Sequence, residues 1–318
     1  MGFSIGKVFS SIIGKMKEKA DVDSIELPRW NYHPKNLLTN IKAARDAVRK
    51  KEYDIVHITG TEHYLIPFLR GQHVVVTVHD LGFFTNKRLT PRTFGKYLLW
   101  IYSLKFADYV TFISDKSEAE ALRLVHLSDD KHSVVFNPVG ADFHYVPKAI
   151  NTERPVILHI GTNANKNLHT TAVALKGYPC KLRIVGKLND ETKALLDQYK
   201  IDYEAVHDLT DEELLQEYIH CDFVNFPSLY EGFGMPIIEA QSVGRLVLTS
   251  NISPMKEVAG DGAVTVDPTN AEEIRKGYEY MRGHAEELVR KGLENVKRFQ
   301  LEDITNEYYQ IYEKMLQG

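Results

Sequence analysis

The stretch N-F-P-S-L-Y-E-G-F-G-M-P-I-I-E-A, from Asn225 to Ala240, is the part of the chain on which the fold turns. It opens as a short apolar strand, Phe223–Phe226, which stops at Pro227. A turn bearing Gly232 and Gly234 follows, and Pro236 stands where a helix would begin. Proline at a first helical position loses nothing, because its missing N–H would have had no intrahelical partner. Backbone N–H groups of Phe233, Gly234 and Met235 would then face outward at a positive helix end, a ready site for a diphosphate. Glycine at these positions lets such a ligand approach the backbone closely. Glu231 lies on the turn and Glu239 about one helical turn beyond Pro236, and an ionised carboxylate is an acceptor pair suited to vicinal hydroxyls. As an isolated pair, two such glutamates would read as solvated surface charge. The strand, glycines and proline in register with them favour a ligand site.

The same alternation of strand, turn and helix extends along the chain in both directions. Strands are expected at Asp23–Leu27, Asp54–Thr59, His73–His79, Tyr109–Ser114 and Ser133–Phe136 in the first half. In the second half they are expected at Pro155–Ile160, Lys181–Val185, Tyr203–Val206, Phe223–Phe226, Leu246–Thr249 and Ala263–Val266. Several are unbroken apolar runs, as strands covered on both faces are. Helical patterns such as Glu118–Val125, Asp211–Tyr218 and Ala271–Arg282 lie between them, so the fold class is α/β with parallel sheets. With 318 residues, two domains are expected. Pro138, Gly140, Pro147 and Pro155 mark the segment 137–155 as a hinge, which divides the chain into 1–145 and 146–300. A C-terminal helix, 301–318, follows and is placed back on the N-terminal domain.

The first domain lacks one expected feature. A doubly wound domain opens with a hydrophobic strand that turns through glycines into a helix. Here Gly2, Ser4 and Gly6 already resemble the turn, and Lys7–Lys19 the helix. Either the chain begins late, or another segment fills the central strand's place.

Composition excludes several classes. A net charge of −4 does not point to a nucleic-acid partner. The two cysteines, Cys180 and Cys221, sit in apolar segments and read as buried reduced thiols. No signal-peptide pattern and no apolar run near the roughly 18 residues of a membrane span are present, so a cytoplasmic protein is expected. No G-x-G-x-x-G follows a strand and no P-loop occurs, which argues against an NAD enzyme or an NTPase. The lone Asp-x-Asp, Asp21-Val22-Asp23, stands at the start of a predicted strand and reads as solvated charge, and no Cys/His cluster has zinc spacing, so no metal is expected. Phe3, Ile5, Val8, Phe9, Ile12, Ile13 and Met16 recur at helical spacing among lysines. That pattern suits a helix packed on a core, and also a peripheral membrane contact through residues 3–19.

The Asn225–Ala240 segment resembles the E-x7-E motif of the large retaining glycosyltransferase family known as group 1, or family 4, with the GT-B fold. N-I-S-P-M-K-E-V-A-G-D-G-A-V-T-V-D-P, Asn251–Pro268, is similar to that family's next recognisable stretch. The resemblance covers Pro155–Pro268 throughout and Tyr53–Pro138 more loosely. It implies two Rossmann-like domains with parallel sheets facing a cleft. It implies that Glu239 binds the nucleotide ribose and that Glu231 contacts the transferred sugar. I-G-T-N-A-N-K-N, Ile160–Asn167, resembles the family's first phosphate loop, which places Gly161 and Thr162 there and sets Lys166 against the diphosphate. The family often has an arginine where Thr162 stands, so charge neutralisation would rest more on Lys166 and the helix N-terminus. Lys187, in V-G-K, is a second candidate near the base or phosphates, with a surface lysine the competing reading. Val206, ending the third strand of this half, lies where the base is expected. Related enzymes carry a histidine at the strand end where V-V-V-T-V-H-D places His79, which sets it against the transferred sugar. His57, Thr59 and Gly60 are further candidates for lining the same cleft.

The implied reaction transfers a hexosyl unit from a nucleoside-diphosphate sugar to a hydroxyl of a glycan or lipid-linked acceptor, with retention and without a cofactor. The look of Ser228–Glu239 leans to GDP-mannose, with a UDP-sugar the alternative. Two other functions fit the same fold: a sugar-nucleotide epimerase, distinguished by products formed without acceptor, and a non-catalytic nucleotide-sugar-binding partner.

Overall fold

A computed structural model describes residues 3–29, 31–69, 71–82 and 90–317 of the chain. It divides into two compact units, one of residues 1–138 with 301–318 and the other of 139–300. The division therefore falls after Pro138 and not at 145/146. Residues 139–148 are bonded into the second unit: Val139 N–H to the Phe299 carbonyl (2.9 Å), Val146 N–H to Val243 (3.3 Å) and Lys148 Nζ to Asp222 (2.9 Å).

In the first unit α1 (Phe3–Met16) and α2 (Pro34–Lys50) precede β1 (Ile55–Ile58), β2 (His73–Val78), α3 (Pro91–Trp100), β3 (Tyr109–Phe112), α4 (Asp115–Leu122) and β4 (His132–Val134). The sheet runs β1-β2-β3-β4, parallel throughout. Val74, Val76, Val78, Val110 and Phe112 are buried in its core, each contributing roughly 1.5–3 kcal/mol on burial. The strand expected at Asp23–Leu27 does not form. Ile25 is 47% exposed there, and Asp21 and Asp23 are held instead by Lys51 (2.8 and 3.0 Å). The glycine turn expected at Ser4 and Gly6 is also absent, because α1 already includes both and runs unbroken from Phe3. Among the described residues, no strand precedes β1. The α1 stripe Val8, Phe9, Ile12 and Met16 is buried against the C-terminal helix Leu301–Gln317, and Lys15 pairs with Glu302 at 2.8 Å.

The second unit contains β5 (Val156–Ile160), α5 (Leu168–Leu175), β6 (Lys181–Val185), α6 (Asp190–Gln198), β7 (Tyr203–Val206), α7 (Asp211–His220), β8 (Phe223–Phe226) and α8 (Met235–Val243). It continues through β9 (Leu246–Ser250), α9 (Met255–Ala259), β10 (Val264–Val266), α10 (Ala271–Gly283) and α11 (Ala285–Asn295). The C-terminal helix in the first unit is α12. The six strands are parallel in the order β10-β9-β8-β5-β6-β7. Connections proceed one way from β5 and the other way from β8, so strand order reverses between these two neighbours. A crevice opens at such a reversal, outside the carboxyl ends of the two strands, and ligands of open α/β sheets bind there. Beneath it, Asn225 on β8 gives its amide to His159 Nδ1 (2.9 Å) and Thr171 Oγ1 (3.0 Å) and accepts from the Tyr278 phenol (2.7 Å). These groups are buried, and this network fixes the register of β5 against β8. Both cysteines are free and buried, and burial pushes each thiol up to about 12.

Candidate active site

Two loops meet at the strand-order reversal. The first leaves β5 through Gly161, whose φ of +91° suits glycine. A side chain at this position would meet the stem of Lys166, with the built Cβ only 2.8 Å from Lys166 Cγ. The absence of a side chain thus lets the lysine fold back over the loop. The second loop leaves β8 after Phe226. Leu229 N–H donates to the Asn165 carbonyl (2.7 Å), and Asn165 Nδ2 donates to the Tyr230 carbonyl (3.1 Å). Lys166 Nζ then pairs with Glu231 Oε1 at 2.6 Å and lies 4.7 Å from the centre of the Phe226 ring. Both side chains keep about a fifth of their surface open (20% and 16%), so the pair is held yet reachable.

Asn167 was not singled out by sequence. It adopts the left-handed conformation (φ 64°) ahead of α5, which asparagine tolerates better than most residues. Its buried amide donates to the carbonyls of Pro227 (3.0 Å) and Pro268 (2.6 Å), clamping the ends of three segments together. An asparagine directly before an apolar helical run was the available signal.

Helix α8 starts at Met235, with Gly234 (φ 124°) preceding it and Pro236 in the first turn. Its first-turn N–H groups carry the positive end of the helix dipole. The Phe233 side chain is buried edge-on against Phe299 (5.8 Å), so only its backbone faces ligand chemistry. Glu239 sits about 6 Å along the helix from its start, at 1.5 Å per residue. It is half-buried and accepts a hydrogen bond from the Tyr218 phenol at 2.5 Å. Tyr218 is fully buried on α7, and burial, with Glu239 beside it, raises its phenol well above the usual range. The tyrosine therefore remains a donor and aims the carboxylate. It too was missed by sequence, since its partner lies 21 residues away.

Thr162 packs against Gly186 and donates to the Lys187 carbonyl (2.9 Å), so it ties two strand ends together and supplies no charge. Lys187 is 70% exposed and paired with Asp208 (3.1 Å). Val206 ends β7, where its carbonyl accepts from Gly186 N–H. Gly161, Thr162, Lys166, Lys187, Val206, Glu231, Phe233, Gly234, Met235 and Glu239 thus all lie in the second unit, at or beyond carboxyl ends of its strands.

His79 lies in the first unit, one residue past the end of β2. It is 6% exposed, and its Nε2 donates to the Thr59 carbonyl (2.8 Å); burial lowers its pKa. His57 is held between the Tyr312 phenol (2.6 Å) and Thr77 Oγ1 (2.8 Å), with its pKa lowered to about 3 by burial. Phe9 stands edge-on to both imidazoles. His57 is consequently a neutral, structural histidine joining the sheet to α1 and α12. Among the described residues, no group of three or more His, Cys, Asp or Glu could hold a metal ion, and no helix is long and apolar enough to cross a membrane.

The geometry can be set beside known proteins. Residues 142–286 match the family model described as glycosyl transferases group 1, and residues 13–143 match that of glycosyltransferase family 4. O-antigen chain mannosyltransferase B of Escherichia coli is 26% identical over 296 residues, covering 84% of this chain and 77% of that protein. The serotype-specific mannosyltransferase WbdA of Escherichia coli is 41% identical over 238 residues, covering 67% of this chain but only 28% of its own length. The solved Anabaena protein HepE in complex with UDP-glucose shares the fold at a TM-score of 0.76, with 14% identity over 99% of this chain and 97% of that one. The two family models overlap at 142–143 and together span 13–286, and the chain belongs to the group 1 glycosyltransferases and is an enzyme of the GT-B fold.

Proposed function

We propose that this glycosyltransferase transfers a mannosyl unit from GDP-mannose to a hydroxyl of a glycan or lipid-linked glycan acceptor, with retention of anomeric configuration. The observation that carries the donor site is the Lys166–Glu231 pair at the reversal of strand order between β5 and β8, on the loop that leads into the N-terminus of α8, the helix that carries Glu239. The nucleotide ribose would lie on Glu239, whose carboxylate accepts from vicinal hydroxyls. The diphosphate would lie between the α8 N–H groups and Lys166, and the sugar beside Glu231. As the glycosidic bond breaks, negative charge grows on the departing diphosphate, and a preplaced ammonium and helix end stabilise it without reorganisation. The acceptor hydroxyl would attack from the face the nucleotide leaves. The mannosyl assignment is supported by the mannosyltransferases among the relatives.

The test is calorimetric titration with GDP-, UDP-, ADP- and dTDP-sugars. GDP-mannose is expected to bind, and Glu239→Ala to weaken it by about 10- to 100-fold, the worth of hydrogen bonds to a charged group. Tyr218→Phe should weaken it less, by about fivefold, since the carboxylate stays but loses the bond that aims it. A folded protein that binds none of these nucleotides would end the donor-site reading. If Glu239→Ala abolishes binding and Tyr218→Phe changes nothing, the site survives and the positioning role of the tyrosine does not.

A further inference from the structure

The lysine-studded helix α1 carries an apolar stripe, but Val8, Phe9, Ile12 and Met16 are buried within the first unit and cannot enter a lipid surface. A different element keeps its apolar side chains outside. Phe94, Leu98, Tyr102 and Phe106 recur at every fourth position along α3 and the turn that continues it, and are 51%, 42%, 40% and 41% exposed. The Tyr102 and Phe106 rings meet edge-on at 5.8 Å. The inner side of the same stretch is already filled: Ile101 and Leu104 are wholly buried, and Leu99 and Trp100 pack on the core. The helix is therefore apolar on two sides, where a surface helix packed on one core needs only one. Isolated exposed hydrophobes are ordinary, but a continuous row of them marks an interaction surface.

Charge identifies the occupant. From Thr90 to Phe106 the chain carries Arg92, Lys96 and Lys105 and no acidic residue. Lys105 Nζ stands over the Tyr102 ring, 5.4 Å from its centre. A second copy docked through a two-fold axis would bring these like charges together. Anionic headgroups over an acyl layer satisfy both the cations and the apolar row. We propose that the Phe94–Leu98–Tyr102–Phe106 face seats the first unit on an anionic membrane surface.

Co-sedimentation of the full chain with vesicles tests this without reference to activity. Binding is expected to vesicles of phosphatidylcholine mixed with phosphatidylglycerol, to weaken with added salt, and to be slight on phosphatidylcholine alone. The double variant Phe94→Ser/Leu98→Ser should partition about tenfold less, given the apolar surface lost. Lys105→Glu, which disturbs no buried contact, should lose at least about fivefold. Lys17→Glu, just past the end of α1, should behave as wild type. Wild-type protein remaining in the supernatant with both vesicle types overturns the proposal. So does unchanged partition of the Phe94/Leu98 and Lys105 variants, or loss confined to Lys17→Glu. A wild-type dimer in sedimentation velocity that these face variants dissociate would instead assign the face to a second copy.

Discussion

Lys166→Ala is expected to lower turnover by roughly 10²- to 10³-fold, the usual effect of removing one preorganised group from a site of developing negative charge. The lysine is well placed for that effect. Its stem lies over Gly161, its ammonium is 4.7 Å from the Phe226 ring centre, and Glu231 holds it at 2.6 Å. Thr162 adds no second cation, being spent on the Lys187 carbonyl, and Lys187 itself is 70% exposed and paired with Asp208. Loss of the ion pair should cost the fold about 1–2 kcal/mol, less than a fully buried pair would, because water reaches both partners. The variant should thus remain folded, and its kinetics remain readable. Steady-state kinetics with the donor varied separate two outcomes. A fall in kcat places Lys166 in charge stabilisation, whereas a raised KM at unchanged kcat would make it a binding group alone.

Gly161→Ala offers a smaller companion. Alanine is strained at a φ of +91°, and its methyl would displace the Lys166 stem. If Lys166 acts by position as well as charge, this variant should lose turnover too, although no charge has changed.

The residues that were legible in sequence and those that were not divide along a physical line. The second unit's central strands were readable because they are covered on both faces, so Val156–Leu158 and Leu246–Leu248 are continuous apolar runs. Asp23–Leu27 has a strand-like alternation too, but alternation describes only what a strand would do once paired, and no neighbouring strand is bonded to it. Helix α4 was expected at Glu118–Val125 and begins instead at Asp115. Ser114 and Ser117 form a reciprocal cap there, a signal weaker in sequence than the usual Ser-x-x-Glu. The α1 stripe could be found by spacing but not assigned, since a protein core and a lipid surface demand the same pattern. In the site, Lys166, Glu231 and Glu239 stood out as charges in a glycine-bearing context. Asn167 did not, since its partners, Pro227 and Pro268, are 60 and 101 residues distant.

Arg245 is the extreme case of such a hidden residue, and its replacement should have the largest effect on stability. It is a lone charge in the apolar run V-G-R-L-V-L-T and only 1% exposed. No carboxylate bonds to it; its donors go to the carbonyls of Tyr218 (3.2 Å), Ile219 (2.8 Å), Val243 (3.0 Å), Gly244 (3.2 Å) and Val146 (3.0 Å). The first four end α7 and α8, where helix geometry leaves carbonyls without intrahelical donors and both dipoles are negative. One guanidinium therefore satisfies two helix ends and fastens the segment entering the unit, which Phe143 also fixes by packing edge-on to Tyr218 (5.4 Å). Arg245→Met would fill much of the volume but leave those carbonyls buried without that donor, at a cost of about 3–5 kcal/mol. That is a large share of the 5–15 kcal/mol typical of a folded domain. Arg245→Lys should recover part of it, since an ammonium keeps the charge but lacks the planar fork that reaches five acceptors. Trp100 packs on the core of the first unit, so its fluorescence reports that unit and circular dichroism reports both. Arg245→Met is expected to lower the dichroism transition while the tryptophan transition moves little. Because α7 and α8 carry Tyr218 and Glu239, nucleotide affinity should fall well below the melting temperature, before either helix unfolds. A variant as stable as wild type would mean that water or a rearranged backbone replaces the guanidinium at no cost, and the coupling of helix ends to the Glu239 carboxylate would have to be abandoned.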